Sequence, residues 1–229
     1  MRYRPKVKIC CISSFLEARM AMEAGASALG LVGHMPSGPG VISDVLIKEI
    51  ASNIPASTAT FLLTSETKAS SIIEQLKKVN TSTIQIVDAI TEGSHEEIRK
   101  ALPHVQIVQV LHVVDEKSVD EAVKVASHVD AILLDSGNPN LTVKELGGTG
   151  RVHNWELSKT IVNKLDIPVY LAGGIGPHNV KQALEKVRPY GLDLCSSVRT
   201  KGNLDAEKLK RFFDKIDEFN LDQKKKAND

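Results

Sequence analysis

Short apolar runs rich in β-branched residues alternate with amphipathic segments from one end of the chain to the other. The runs are typical of buried strands, and the amphipathic segments are typical of helices that pack on them. The strands are predicted at Val7–Ile12, Ala28–Gly33, Thr58–Leu63, Thr83–Asp88, Gln106–Val113, Ala131–Ser136, Val169–Gly173 and Gly191–Ser196. The helices are predicted at Phe15–Ala24, Ser43–Asn53, Lys68–Val79, His95–Leu102, Lys117–His128, Trp155–Leu165, His178–Val187 and Asp205–Phe219.

This unbroken alternation predicts a parallel sheet, because right-handed crossovers return each strand parallel to the one before it. Eight units in 229 residues fit a single (β/α)8 barrel at 1–221, followed by a disordered tail at 222–229. An open, doubly wound sheet is the alternative. The first strand–helix turn has no glycine to cradle a pyrophosphate, which argues against the dinucleotide-binding form of that alternative.

Composition narrows the classes of function. The net charge is +1 and no basic stripe is present, so we expect no nucleic-acid partner. We expect no secretion signal and no membrane-spanning segment, because no apolar run is long enough. The three cysteines lack framework spacing, which favours free thiols in a reducing, cytoplasmic compartment. The seven histidines lack metal-ligand spacing, so we expect no metal.

The first strand carries a candidate catalytic thiol. In a barrel, the chemistry takes place at the carboxyl ends of the strands. Alternation along the strand directs Lys8 and Cys10 into the barrel, and Ile9 and Cys11 toward the helices. Because neighbours in a strand face opposite ways, we expect no disulfide or shared metal between the adjacent cysteines. The alternative for Cys10 is a small buried core residue, which is the commoner fate of a free cysteine.

Two acidic residues are predicted to face the barrel interior. Asp135 ends the sixth strand, where loss of water would raise its pKa and suit it to general-acid chemistry. The alternative is a carboxylate that only caps a loop or pairs with a base. Asp193 lies on the eighth strand, which adjoins the first in a closed barrel. We expect it to form an ion pair with Lys8, because a lone buried charge is costly.

Glycine-rich loops after the last strands predict a phosphate site. Gly173 and Gly174 follow the seventh strand and precede a helix, and Ser196 and Ser197 follow the eighth. Bare backbone amides near a helix N-terminus at this place are typical of phosphate sites in barrels, although glycine turns also occur without a ligand. A third loop contains Gly148 and Thr149 and follows a polar segment at 137–145. Its length indicates a mobile lid or substrate loop.

Several short motifs, in order over nearly the whole chain, resemble the phosphoribosylanthranilate isomerase family. They are Lys8–Ile12, Leu133–Asp135, Gly147–Gly150, His153–Trp155, Leu171–Ile175, Asn179–Val180, Arg188–Gly191 and Leu192–Arg199. The resemblance implies a cofactor-free Amadori rearrangement of a small phosphorylated sugar-amine in tryptophan biosynthesis, carried out by a monomer or homodimer. It implies Asp135 as the general acid and Cys10 as the general base. Gly173, Gly174, Ser196 and Ser197 would bind the phosphate.

The chain departs from the family pattern at the amine end of the substrate. The family has an arginine after the second strand that meets the anthranilate carboxylate, and Gly40 stands at that position here. Cys11 and Ser197 each replace a glycine, and Arg199 replaces a glutamate. Arg199 is a candidate to supply the missing positive charge.

Three hypotheses remain open. The first is a phosphoribosylanthranilate isomerase with rebuilt carboxylate recognition. The second is a paralogue that isomerises another phosphoribosylated amine, and the third is an inactive phosphosugar-binding sensor. Retention of both Cys10 and Asp135 argues against the sensor, which needs neither group.

Overall fold

The computed structural model describes residues 3–36, 38–137 and 152–226, and it contains a closed barrel of eight parallel strands. The strands are β1 (Lys6–Ile9), β2 (Ala28–Val32), β3 (Ala59–Thr64), β4 (Thr83–Ile86), β5 (Gln106–His112), β6 (Ala131–Asp135), β7 (Val169–Leu171) and β8 (Gly191–Leu194). The helices are α1 (Phe15–Ala24), α2 (Asp44–Ser52), α3 (Ala69–Val79), α4 (His95–Ala101), α5 (Lys117–Ala126), α6 (Trp155–Lys164), α7 (Val180–Lys186) and α8 (Ala206–Lys226). A single 3-10 turn (Ser196–Val198) and a short hairpin of β9 (Arg199–Thr200) and β10 (Asn203–Leu204) precede α8.

The barrel closes where β1 pairs with β8 in parallel. In this pairing Lys8 lies opposite Asp193 and Ile9 lies opposite Leu194. The other strands pair in chain order, so the first and last strands meet directly. The predicted (β/α)8 barrel is confirmed, and the open, doubly wound alternative is wrong.

The strands carry two apolar layers. In β5, Ile107 and Leu111 belong to the outer layer under the helices, whereas Val108 and Val110 belong to the inner layer. Alternate side chains of an extended strand point to opposite faces, which produces both layers from one sequence. The inner layer fills the barrel, so any functional group must lie at its end.

The segment after β1 departs from the predicted alternation. β1 ends at Ile9, and Cys11 adopts a left-handed backbone conformation with φ of 62°. Cys11 therefore does not face the helices, as the strand pattern predicts, but joins Cys10 in the inner cluster. That prediction is wrong because alternation holds only while the backbone stays extended. A left-handed conformation favours glycine, so a cysteine here carries backbone strain.

The helix ends also differ from the expected bounds. α8 continues through Lys226, and Asp222 within it pairs with Lys181 of α7 at 2.8 Å. Of the expected disordered tail at 222–229, residues 222–226 lie in α8 and 227–229 lie outside the described residues, so the disorder of the tail stays a prediction. α7 begins at Val180, two residues later than the sequence pattern predicts. Among the helices of the described ranges, none combines the length and the apolar character needed to cross a membrane.

The ion pair between Lys8 and Asp193 lies inside the barrel. Lys8 Nζ is 2.8 Å from Asp193 Oδ1, and the lysine side chain is fully buried. The same Nζ lies 5.4 Å from the centroid of the Phe61 ring, within the range of a cation–π interaction. Burial by itself lowers the pKa of Lys8, but the charge of Asp193 raises it above its usual value. The lysine therefore stays charged, and the predicted pair is confirmed.

Replacing Asp193 with Asn should lower the free energy of unfolding by about 3–5 kcal/mol, because it leaves the buried Lys8 charge without a counter-ion. The matched control is Asp222→Asn, which removes the surface partner of Lys181 at the same N–O distance of 2.8 Å. We expect no measurable change in the control, because water solvates both groups. Urea unfolding at pH 7 measures the two variants, and equal losses would contradict a special role for the buried pair.

Candidate active site

Cys10 lies at the carboxyl end of β1 and is buried, with 6% of its surface exposed. Its N–H donates to the carbonyl oxygen of Leu194 at 2.7 Å, so β8 fixes its backbone. Gly30 of β2 faces it, and a Cβ there would lie 3.0 Å from Cys10 Sγ and 3.1 Å from Lys8 Nζ. The Cys10 thiol and the Lys8 ammonium group therefore both lie beside Gly30, and a side chain at residue 30 would crowd both groups. The sequence signal for Gly30 is a lone glycine inside an apolar strand.

Asp135 ends β6 and is also buried, with 8% of its surface exposed. Burial raises the pKa of this carboxyl, while the Ser136 N–H and the Lys8 charge oppose the shift. The Ser136 N–H donates to Asp135 Oδ1 at 2.7 Å and orients the carboxyl group. Lys8 interacts electrostatically with both Asp135 and Cys10. The predicted acid and the predicted base thus both lie within electrostatic range of one buried ammonium group.

The loop after β7 has the backbone conformation that its glycines predict. Gly173 and Gly174 have φ values of 76° and 63°, which L-residues with a side chain rarely adopt. Asn179 supports the loop through both ends of its amide: its Nδ2 donates to the Gly174 carbonyl at 2.9 Å, and its Oδ1 accepts from the Gly176 N–H at 2.9 Å. The loop is thus held in shape by a side chain that precedes α7.

The loops after β7 and β8 are in contact. A Cβ at Gly176 would lie 3.0 Å from Ser197 Cβ, so the two predicted phosphate-binding segments adjoin one another. Ser196 is exposed, whereas the Ser197 hydroxyl is buried and has no hydrogen-bond partner among the described residues. A buried hydroxyl of this kind fits a ligand oxygen. The remaining predicted residues, Gly148 and Thr149, lie outside the described residues.

Comparisons with known proteins identify the family of the chain. Residues 7–215 match the family model of N-(5'-phosphoribosyl)anthranilate (PRA) isomerase. The chain belongs to this family. It is 31% identical over 228 residues to the N-(5'-phosphoribosyl)anthranilate isomerase of Methanosarcina acetivorans, with 94% of each chain covered. It is 32% identical over 195 residues to isomerase 2 of Methanosarcina mazei, with 85% of each chain covered.

The solved structures of the family share the fold. The phosphoribosyl anthranilate isomerase of Thermotoga maritima has a TM-score of 0.78 and 25% identity, with 93% of this chain and 99% of that chain covered. The enzyme of Pyrococcus furiosus has a TM-score of 0.76 and 23% identity, with 94% of this chain and 100% of that chain covered. These matches span the whole barrel, so the family assignment does not rest on one half of it.

Two departures from the family pattern are in direct contact. Gly40 lies against Cys11, and a Cβ at residue 40 would lie only 2.5 Å from the Cys11 Cβ. Gly40 also has φ of 80°, which strains any residue with a side chain. The cysteine at position 11 thus fills the space from which a side chain at position 40 would project. Sequence reasoning identified each departure but not their contact.

Arg199 does not replace the missing carboxylate-binding arginine. Its guanidinium is buried and forms an ion pair with Glu17 of α1 at 2.9 Å. Its Nη2 also donates to the carbonyl oxygens of Cys10, at 3.1 Å, and of Cys11. The charge is therefore compensated, and the donors hold the end of β1 in place. Sequence reasoning left the role of Arg199 open, since its partner lies in a distant helix.

Gln85 of β4 is a further candidate that sequence reasoning missed. Its neighbours Ile84 and Ile86 belong to the outer layer, so alternation directs Gln85 into the barrel. It is 4% exposed, and its Oε1 has no hydrogen-bond partner among the described residues. A buried acceptor without a partner is costly unless a ligand supplies the donor. The signal is a polar residue between two apolar ones.

The raised pKa of Asp135 predicts a specific pH dependence of stability. Above the usual Asp pKa of 3.8 and below the folded value, the folded state binds more protons than the unfolded state. Stability therefore falls as the pH rises through that interval. Asp135→Asn removes the titration, so its stability relative to the parent should increase with pH across the interval. Urea unfolding at pH values from about 3 to 8 measures the difference.

Asp205→Asn is the control of opposite sign for this experiment. Hydrogen bonds from Thr200 and from backbone amides lower the pKa of Asp205. Its stabilising contribution is present above the usual Asp pKa and is lost as the pH falls through the folded value. The stability of this variant relative to the parent should therefore decrease as the pH rises. A flat profile for Asp135→Asn would contradict a raised pKa at that residue.

Proposed function

We propose that this protein isomerises N-(5'-phosphoribosyl)anthranilate to the 1-deoxyribulose phosphate product in tryptophan biosynthesis. The observation that carries the proposal is a buried thiol and a buried carboxyl, each at the carboxyl end of its strand, that share Lys8 as a charged neighbour. Membership of the isomerase family supports this reaction. One structural relative is phosphoribosyl anthranilate isomerase in complex with reduced 1-(o-carboxyphenylamino)-1-deoxyribulose 5-phosphate.

The first step of the proposed mechanism opens the sugar ring. Asp135 donates a proton to the ring oxygen while the bond between that oxygen and the first carbon breaks, and the amine nitrogen forms an imine. A carboxyl group whose pKa is raised by burial retains its proton to higher pH, which suits it to this role. The hydrogen bond from the Ser136 N–H to Asp135 Oδ1 fixes the orientation of the carboxyl group.

The second step moves a proton from the sugar. Cys10 accepts the proton from the second carbon of the imine, which gives an enolamine. The enolamine becomes the ketone when the first carbon takes up a proton, so the reaction is redox-neutral overall and the proposal includes no cofactor. Proton transfer of this kind requires fixed geometry, which the Leu194 and Arg199 hydrogen bonds to the Cys10 backbone supply.

The phosphate would bind at the loops after β7 and β8. The left-handed backbone of Gly173 and Gly174 supports this role, because successive amides in such a conformation form an anion-binding concavity. Ser196 and Ser197 lie in the adjoining turn, and the unpartnered Ser197 hydroxyl supports a contact with a phosphate oxygen. Anchoring the phosphate would hold the sugar between the acid and the base. Gly148 and Thr149 would belong to the substrate loop.

The proposal includes a cytoplasmic enzyme that acts as a monomer or homodimer and binds no nucleic acid. A structural relative from Thermotoga maritima is described as a dimeric phosphoribosylanthranilate isomerase, which supports the homodimer. The mixed charges and net charge of +1 support the absence of a nucleic-acid partner.

A second candidate function is isomerisation of another phosphoribosylated amine. The observation that favours it is the contact between Cys11 and Gly40, which leaves no side chain where the family arginine would meet the anthranilate carboxylate. Arg199, the other candidate cation, is compensated by Glu17. Both candidate functions use the same acid, base and phosphate loops. The two candidate substrates differ only in the amine that is joined to the phosphoribosyl group.

Turnover of freshly prepared N-(5'-phosphoribosyl)anthranilate, followed as loss of anthranilate-type fluorescence, tests the first candidate. Cys10→Ser and Asp135→Asn should each lower kcat by at least about 100-fold, because general acid and base groups typically contribute that much. Asp222→Asn is the control for the carboxylate change, since Asp222 pairs with Lys181 far from these residues in the fold. If the parent protein binds a phosphosugar but does not turn over this substrate, the first candidate is excluded. The hypotheses of a paralogue with another substrate and of an inactive sensor then remain.

The contact between residues 11 and 40 predicts a non-additive pair of substitutions. Gly40→Arg alone should lower stability, because its Cβ overlaps Cys11. Adding Cys11→Gly removes the overlap and the strain at residue 11, so the double variant should recover part of the loss. If the substrate is the anthranilate derivative, the double variant should also have a lower KM. Thermal unfolding of the parent, of both single variants and of the double variant, together with steady-state kinetics, measures these effects, and additive changes in stability would contradict the coupling.

A further inference from the structure

All three cysteines of the chain meet where β1 pairs with β8. Cys11 Sγ lies 2.9 Å from Cys195 Sγ and 3.8 Å from Cys10 Sγ. The proposed reaction uses Cys10 alone. Cys11 and Cys195 are therefore two nucleophilic groups in contact, without a role in the chemistry described above.

We propose that Cys11 and Cys195 form a separate oxidisable site, in which the disulfide of a small thiol converts the pair to an intramolecular disulfide that crosslinks the first and last strands. The proposal goes beyond the isomerase reaction and does not depend on it.

The backbone geometry suits a crosslink between these two residues. Ile9 lies opposite Leu194 in the parallel ladder, and the Cys10 N–H donates to the Leu194 carbonyl at 2.7 Å. Cys195 thus follows the last paired residue of β8, and the left-handed backbone at Cys11, one residue beyond Cys10, brings the Cys11 Sγ to within 2.9 Å of the Cys195 Sγ. The sulfur atoms need to approach by only about 1 Å to reach bonding distance. The pair can therefore form a disulfide without unfolding of the barrel.

The positions of the other groups favour this pair over Cys10. Adjacent cysteines form a disulfide only with a distorted backbone, which disfavours a bond between Cys10 and Cys11. The thiol of Cys10 instead approaches Gly30. On the side of the loop after β2, the Cys11 Sγ lies 3.5 Å from the Pro39 carbonyl oxygen, a group that cannot form a disulfide. Cys195 is the partner that remains.

The two thiols differ in the way that an exchange reaction requires. Cys195 is partly exposed, whereas Cys11 is 5% exposed. The hydrogen bond with Cys11 lowers the pKa of Cys195 and the charge of Arg199 lowers it further, against the opposing effect of burial. The hydrogen bond with Cys10, the contact with Cys195 and burial raise the pKa of Cys11. Cys195 is thus the first nucleophile, since the thiolate is the reactive form and Cys195 is the more exposed residue of the two.

The reaction balances as two exchange steps. The Cys195 thiolate attacks one sulfur of the small disulfide, which breaks its S–S bond and releases one small thiolate. The Cys11 sulfur then attacks the Cys195 sulfur of the mixed disulfide, and its proton leaves with the second small thiol. Two protein thiols are oxidised, and one small disulfide is reduced to two thiols. Cys10 keeps its thiol.

The crosslink would stabilise the folded protein, because it joins the first and last strands where the barrel closes. It joins residues separated by 184 positions, so it restricts nearly the whole unfolded chain. We expect the midpoint of thermal unfolding to rise on the order of 10 °C on oxidation, and to return to its reduced value after addition of dithiothreitol.

The test treats the full chain with oxidised glutathione, traps the remaining thiols by alkylation in acid-quenched samples, and identifies them by mass spectrometry. We expect a product that is about 2 Da lighter, carries one alkylated thiol at Cys10, and yields a crosslinked peptide between the segments that contain Cys11 and Cys195. Cys10→Ser should still form the crosslink. Cys195→Ser and Cys11→Gly should not, and glycine is chosen at position 11 because φ of 62° suits it.

Three results would overturn the proposal. They are a stable glutathione adduct on Cys195 without a crosslink, a crosslink that involves Cys10, and loss of the crosslink in Cys10→Ser. A crosslinked product whose unfolding midpoint equals that of the reduced protein would overturn the link to barrel closure. None of these results depends on isomerase activity, so they are independent of the proposed reaction.

Discussion

The ion pair between Lys8 and Asp193 is the interaction on which the candidate site depends. A fully buried ammonium group is tolerated only with a compensating charge, and that charge lies on β8, directly opposite Lys8 in the closing ladder. The same ammonium interacts with Cys10 and with Asp135. One pair of residues therefore lies at the closure of the barrel and also supplies the buried charge nearest in effect to the proposed acid and base.

A second polar network fixes the end of β1. The backbone leaves the extended conformation at Cys11, so the carbonyl groups of Cys10 and Cys11 need partners outside the strand ladder. The buried guanidinium of Arg199 supplies them, and Glu17 compensates its charge. Glu17 also accepts from the Leu204 N–H, which ties the hairpin before α8 to the same point. The backbone of Cys10 is thus fixed at its N–H by Leu194 of β8 and at its carbonyl oxygen by Arg199.

The fold and the buried ion pair were predictable from sequence because both follow from local periodicity together with closure of the barrel. Alternation in β1 and β8 places Lys8 and Asp193 on the same side, and closure makes the two strands neighbours. The position of Cys11 was not predictable, since a single left-handed residue reverses the side on which its thiol lies. The partner of Arg199 was not predictable either, because Glu17 lies 182 positions away and no spacing rule links them.

The departures near the amine end form one connected change. Cys11 fills the space beside Gly40, its carbonyl accepts from Arg199, and its thiol contacts Cys195. A glycine at residue 11 would leave room at residue 40, but it would also remove the thiol that contacts β8. Cys11 therefore links the other members of the set, and we expect an arginine at position 40 to need a second change at position 11. The set also reaches the proposed base and the phosphate loop, because Arg199 donates to the Cys10 carbonyl oxygen and Cys195 directly precedes Ser196, so a change at residue 11 or 40 also acts on the support of the proposed chemistry.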